Sequence, residues 1–182
     1  MTQHVEWIFF ITTVLFLFLF LSFYVFFNSI HTTTTEIIHR DLKTDNTLVA
    51  SLDPKAPVVG KLSYFNTSRF AGSDAMKTKT KGVGTPIFMA PEILGNQKYD
   101  WHADVYSFAV MAWNVWTQKE PYSEGFENQW AILKFVGEGK RLEIPGDVPP
   151  ELQRVISEGW AQEQTKRPTF SDIVKLLESI TL

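Results

Sequence analysis

The stretch Ile37-Ile38-His39-Arg40-Asp41-Leu42-Lys43-Thr44-Asp45-Asn46 limits what this chain can become more than any other. It sets a carboxylate (Asp41), an ammonium two residues on (Lys43) and an amide five residues on (Asn46) between apolar flanks, with Leu48 and Val49 just behind. Together, such groups serve one small polar site. A carboxylate accepts or orients a hydroxyl proton, an ammonium neutralises phosphate charge, and an amide oxygen helps hold a metal ion. Apolar flanks need a core behind them, and 182 residues are enough for one domain that has one. A net charge of −3 gives no sign of a nucleic-acid surface. The absence of cysteine rules out disulfides and thiolate metal sites, and His4, His31 and His102 have no metal-ligand spacing.

Two kinds of sequence meet near 31–36. All 17 lysines and arginines lie after Ile38, and the first 30 residues carry one charge, Glu6. Trp7 to Phe27 is uncharged and rich in Phe and Leu, and as a helix it is long enough to cross a bilayer, which takes about 20 apolar residues. It lacks the basic n-region and the cleavage site of a signal peptide. Arg40 and Lys43 follow the run and nothing basic precedes it, which places the C-terminal side in the cytosol. Two other readings stand beside a membrane anchor: a buried helix of a cytoplasmic domain, or a Phe/Leu-repetitive stretch that is not coding sequence. Thr32–Thr35 is a joint of poor helix propensity.

Further along, Thr47–Ala50 and Val58–Leu62 read as strands around a Pro-containing turn at Ser51–Pro57, making a hairpin. Leu48 on it suits either the floor under a flat ligand such as adenine or an ordinary core position. Thr67–Gly84 is polar and rich in Lys and Thr, which predicts either a solvated basic loop or one switched by phosphate at Thr78 or Thr80, paired with Arg40. Asp104–Thr117 is apolar on nearly every side, so it reads as a buried helix, ended by Pro121-Tyr122. Gln129–Val136 has amphipathic spacing, and Leu142–Pro150 is a loop. Leu152, Val155, Ile156 and Trp160 share one helical face, and Ser171 is placed to cap a last helix with Ile173, Leu176, Leu177 and Ile180 inward.

The first stretch resembles the H-R-D-L-x-x-x-N catalytic loop of protein kinases at every required position. Gly84-Thr85-Pro86-Ile87-Phe88-Met89-Ala90-Pro91-Glu92 resembles the family's G-T-x-x-[YF]-M-A-P-E stretch, and Tyr99–Phe108 is again similar, with Ala109 where Gly is usual. Trp160, Arg167, Pro168 and Phe170 resemble the C-W-x-x-x-P-x-x-R-P-x-F close of tyrosine-kinase-like and tyrosine kinases, with Gly159 and Gln164 departing from it. Lys43 and the Gly84-Thr85 step look like the serine/threonine type. The resemblance runs from about Ile37 to Leu182. It implies a mainly α fold: a kinase-like C-terminal lobe over 37–182, helical with a short β-hairpin, preceded by a long hydrophobic helix within 1–36.

By the same resemblance the reaction is γ-phosphate transfer from ATP, with Mg²⁺, to Ser or Thr of a protein substrate. Asp41 would orient the hydroxyl, Lys43 would steady the phosphate, Asn46 would hold a metal and Leu48 would lie under the nucleotide. His39, Arg40 and Phe65 would be structural. So would Asp104, bonded to the catalytic-loop backbone, and a Glu92–Arg167 pair. Two departures weigh against catalysis. Tyr64-Phe65-Asn66 stands where the family has Asp-Phe-Gly, and a neutral phenol replaces the chief Mg²⁺ carboxylate. No G-x-G-x-x-G loop or V-A-I-K-like strand occurs in these 182 residues, so the amino-terminal lobe is expected to be absent. The expectation is therefore weak or lost ATP and Mg²⁺ binding and a lobe inactive alone. The alternative is a pseudokinase-like binding module or scaffold, anchored in a membrane by a single pass or else cytoplasmic.

Overall fold

The centre of the molecule is a helix that is apolar nearly all round, α2 (His102–Thr117), in which every residue from Ala103 to Trp113 is buried. A helix with no polar face must be covered on all sides, so the other elements are arranged around it. The Asp100 carboxylate receives the His102 backbone N–H at 2.9 Å at its start. It stops at Gln118, whose left-handed backbone (φ 54°) ends the turn before Pro121 is reached. The structure is a computed structural model, and it describes residues 37–51, 60–70 and 84–180. The candidate membrane span 7–27, the Thr-rich joint, the hairpin turn, and Thr78 and Thr80 lie outside these residues. Among the described residues no helix is long and apolar enough to cross a membrane.

Four more α-helices follow the chain: α1 (Pro91–Leu94), α3 (Gln129–Gly137), α4 (Pro150–Gly159) and α5 (Phe170–Glu178). Helix α4 begins with Pro150 in its first turn, where the missing N–H costs nothing, and buries Leu152, Val155 and Ile156 against the core. Helix α5 is capped by Thr169, not Ser171. The Thr169 hydroxyl accepts from the Asp172 N–H at 3.1 Å and the Asp172 carboxylate reaches back to the Thr169 N–H, a capping box. Its inward side is Phe170, Ile173, Val174 and Leu177, with Leu176 and Ile180 partly buried.

Strands are few and short. β1 (Ile37–Ile38) pairs antiparallel with β4 (Arg69–Phe70), and β2 (Thr47–Val49) pairs antiparallel with β3 (Gly60–Leu62), as the hairpin reading requires. The polar stretch His39–Asn46 therefore spans from one sheet to the other, with both ends fixed. Leu48 faces Lys61 across the hairpin and is 54% exposed, so it is not a core leucine. At another edge, Trp130 on α3 is exposed beside a cavity of about 660 Å³ lined also by Leu94 and Gln164.

Candidate active site

Asp104, in the first turn of α2, fixes the entry to the polar loop. Its carboxylate accepts the His39 N–H at 2.7 Å and the Arg40 N–H at 2.8 Å. Full burial raises its pKa to about 6, and the two N–H donors oppose that rise by favouring the charged form. Arg40 turns the chain in a left-handed conformation (φ 69°), costly for a residue with a Cβ. Further bonds hold that turn: the guanidinium donates to the Thr67 carbonyl and, at 3.2 Å, to the Tyr99 hydroxyl. Gly84 passes so close that a Cβ there would lie 2.7 Å from the Arg40 carbonyl, and its φ of 108° suits glycine alone.

His39 is buried and its ring has a defined role. Nδ1 accepts the Asp41 N–H at 3.3 Å and Nε2 donates to the Ser63 carbonyl at 2.9 Å, an assignment that fixes the neutral Nε2–H tautomer. Burial lowers its pKa, against the Ser63 bond and the nearby Asp41 charge. Phe65 packs edge-on to the ring, 4.9 Å between centroids, and the Thr67 hydroxyl donates to the His39 carbonyl at 2.9 Å. On the other side, Ser63 donates both its N–H and its hydroxyl to the Asn46 carbonyl, each at 2.9 Å.

This frame holds a closed ring of polar groups. Asp41 Oδ1 accepts the Thr85 hydroxyl at 3.0 Å, and Thr85 Oγ1 accepts from Lys43 Nζ at 2.8 Å. Lys43 Nζ lies 3.9 Å from Asp41 Oδ2, which accepts Asn46 Nδ2 at 2.9 Å. Asn46 Nδ2 also donates to the Asp41 backbone carbonyl at 2.7 Å. A partly buried carboxylate held this way can receive a hydroxyl proton, and the ammonium beside it can offset negative charge developing nearby. Sequence reading foresaw Asp41, Lys43 and Asn46 in one place. It missed that Thr85 joins two of them and that Ser63 and Thr67 lock the frame. The Gly84-Thr85 step was visible, but a lone hydroxyl gives no spacing signal.

Glu92 and Arg167 form a separate buried cluster. The pair is bidentate at 2.6 and 2.8 Å, and Arg167 also donates to the Ala161 and His102 carbonyls. Arg141 and Arg167 both lie over the Tyr106 ring, 5.2 and 5.1 Å from its centroid.

The donor set is poorer in anionic oxygen than Mg²⁺ prefers. Tyr64 has a left-handed backbone (φ 62°, ψ 55°), is 65% exposed, and supplies no carboxylate. Asn46 donates through Nδ2 to Asp41, which leaves its amide oxygen as the atom there able to face a cation, and both Asp41 oxygens accept hydrogen bonds. No group of three acidic, His or Cys side chains able to hold a metal occurs among the described residues. Asp45 is exposed, and Asp53 and Asp74 fall outside those residues.

Comparison with known proteins agrees with the geometry. A family model described as protein tyrosine and serine/threonine kinase matches residues 30–177. A probable LIM domain-containing serine/threonine-protein kinase of Dictyostelium discoideum is 37% identical over 156 residues, 84% of this chain and 23% of that protein. The serine/threonine-protein kinase CTR1 of Arabidopsis thaliana is 38% identical over 154 residues, 84% of this chain and 18% of its own length. The probable serine/threonine-protein kinase drkC of Dictyostelium discoideum is 39% identical over 155 residues, covering 84% of this chain and 20% of its own. The chain thus spans less than a quarter of the length of each of these relatives. With the Asp41 loop, the Asp104 anchor and the Glu92–Arg167 pair in place, the chain belongs to the protein kinase superfamily, in its tyrosine-kinase-like part.

Proposed function

We propose that this chain is the acceptor-side lobe of a serine/threonine protein kinase, built to orient a protein hydroxyl but transfer-deficient by itself. The observation that carries the reading is the ring of Asp41, Thr85, Lys43 and Asn46. In this reading Asp41 takes or orients the Ser/Thr proton, and Lys43 steadies the phosphate. Asn46 holds Asp41 in place. ATP is the donor in the family, and exposed Leu48 offers the kind of apolar surface a purine rests on. Deficiency follows from Tyr64. Phosphoryl transfer depends almost wholly on positioning and electrostatics, and losing a metal anchor costs on the order of 10³ or more.

The test is radiolabel transfer from ATP to myelin basic protein. The 182-residue chain is expected to show no Asp41-dependent signal. A signal that Asp41→Ala abolishes would overturn the deficiency. Joined behind an amino-terminal kinase lobe and given Tyr64→Asp, the lobe is expected to phosphorylate Ser and Thr, and silence of that chimera would overturn the acceptor-lobe reading.

A second reading, a pseudokinase-like docking module, is favoured by Tyr64 itself, since docking needs the fold and not the metal. Partner capture that survives Asp41→Ala would support it. The Phe-rich run adds membrane anchoring to either reading, and retention of the native product in a carbonate-washed membrane pellet tests that.

A further inference from the structure

Trp130 is 79% exposed, the highest value among the large apolar side chains described, and it stands beside a cavity rather than on open surface. The cavity, about 660 Å³, lies between α1 and α3, with Leu94 and Leu133 on its apolar side and Gln162 to Gln164 completing it. Three charged side chains line it, and two of them are spent. Glu92 is held at both oxygens by Arg167, and Glu163 faces Lys166 at 3.0 Å. Lys134 forms no ion pair among the described residues, and Glu138, one turn on, is bonded to Lys140 at 2.7 Å. One positive charge is thus left without a partner at the cavity. The polar groups divide in the same way. The Gln162 amide is committed at both ends, accepting from Arg141 at 2.7 Å and donating to the Gly137 carbonyl at 3.4 Å. Gln164 Oε1 is buried and has no hydrogen-bond partner. An unpaired buried acceptor costs free energy that an arriving N–H recovers. Gln164 is also a position where this chain departs from the resembled pattern, which has proline there, and a proline side chain offers no acceptor.

We infer that this cavity is a docking site for an acidic peptide segment of a partner protein, which sets an apolar side chain against Trp130, a carboxylate on Lys134 and an N–H on Gln164 Oε1. Tryptophan is among the residues that most often dominate binding at protein interfaces. The sign of the occupant follows from Lys134, since complementary charge both steers a partner in and rejects the wrong one. The cavity shares no residue with the ring around Asp41. Docking here needs no transfer chemistry, so either reading can fail while the other stands.

The experiment titrates the full ¹⁵N-labelled chain with the peptide acetyl-Asp-Glu-Leu-Phe-Glu-Asp-amide and follows ¹H–¹⁵N NMR. Saturable shifts are expected at the Trp130 indole N–H, the Gln164 side-chain amide and the Lys134 backbone amide, with Kd about 1 mM or tighter. The same peptide with lysine at each acidic position is expected to bind about fivefold more weakly or worse. Trp130→Ala should weaken binding about fivefold or more, and Lys134→Gln and Gln164→Pro about threefold each. All three variants keep the fold. Trp130 and Lys134 are exposed, and Gln164 opens a 3₁₀ turn after extended backbone at Glu163 (φ −85°, ψ 117°), where a proline is accepted. The absence of saturable shifts, or shifts confined to residues away from the cavity, would overturn the inference. Equal affinity for the lysine peptide, or undiminished binding by Gln164→Pro, would overturn it as well.

Discussion

Two departures from the kinase pattern prove to be one event in space. Ala109 stands where Gly is usual and Gly159 stands in place of Cys, fifty positions apart in the chain. In the fold α2 and α4 cross here, and a Cβ added to Gly159 would lie 2.8 Å from the Ala109 Cβ. In this chain the methyl group at the crossing is on α2 and the bare Cα is on α4. Gly159→Ala should therefore destabilise the lobe by about 1–3 kcal/mol through overpacking. Combining it with Ala109→Gly should recover part of that loss, with a coupling of about 1 kcal/mol or more in a double-mutant cycle of urea unfolding. Strict additivity would mean that the two residues do not share this space. At Asp104 and His39 the issue is charge. Asp104 is raised from 3.8 to about 6, so its contribution to stability is present below 3.8 and is lost as pH rises through about 6. His39 is lowered from 6.5, so its contribution is present above 6.5 and is lost as pH falls through its folded pKa. The two offset one another in mild acid. Asp104→Asn removes one side of the balance and sets an amide N–H₂ against two backbone donors. It should cost about 1–3 kcal/mol at neutral pH, and stability should then fall more steeply from pH 7 to 5 than in the wild type. Equal slopes of the urea midpoint with pH would refute this.

At the scale of elements, buried ionic contacts tie segments that are far apart in sequence. Glu92 opens α1, while Arg167 precedes α5 and also bonds the His102 carbonyl at the start of α2. Arg167→Met strands the Glu92 charge and should cost about 3–5 kcal/mol in chemical denaturation, far more than Lys166→Met, whose partner Glu163 is exposed. A loss under 1 kcal/mol would show that water reaches Glu92. The helices were legible in the sequence because their patterns are local. An all-apolar run must be buried, and Leu152, Val155 and Ile156 recur at helical spacing. The loop residues were legible because transfer chemistry restricts residue type. Contacts between segments were legible only where the resemblance supplied them, as for Asp104 with the loop backbone and Glu92 with Arg167, since nothing local to Thr85, Ser63 or Gly159 records its neighbour. The cap of α5 was a different kind of miss. Thr169 and Asp172 carry the box spacing in plain view, whereas Ser171 has Val174 three residues on and so no reciprocal partner.

At the scale of the whole molecule, the large apolar side chains exposed among the described residues come mostly from one stretch of the chain. Leu48, Val49, Tyr64, Phe65 and Phe70 all come from the β2–β4 region, and Trp130 alone is from elsewhere among the described residues. Exposed apolar side chains of this size favour association. Leu48→Glu with Val49→Lys should lower the fluorescence of bound anilinonaphthalene sulfonate by about half or more and reduce self-association in sedimentation, with little change in unfolding midpoint because both side chains are already in water. Undiminished dye binding would place the sticky surface elsewhere.

Trp130 offers something different, an optical handle. Of the described tryptophans, Trp101, Trp113, Trp116 and Trp160 are buried or half-buried, and Trp130 presents most of its indole to solvent at the lip of the α1–α3 cavity. Its emission should be the reddest of these and the first quenched by acrylamide, so a blue shift in that component reports directly on anything that settles against α3.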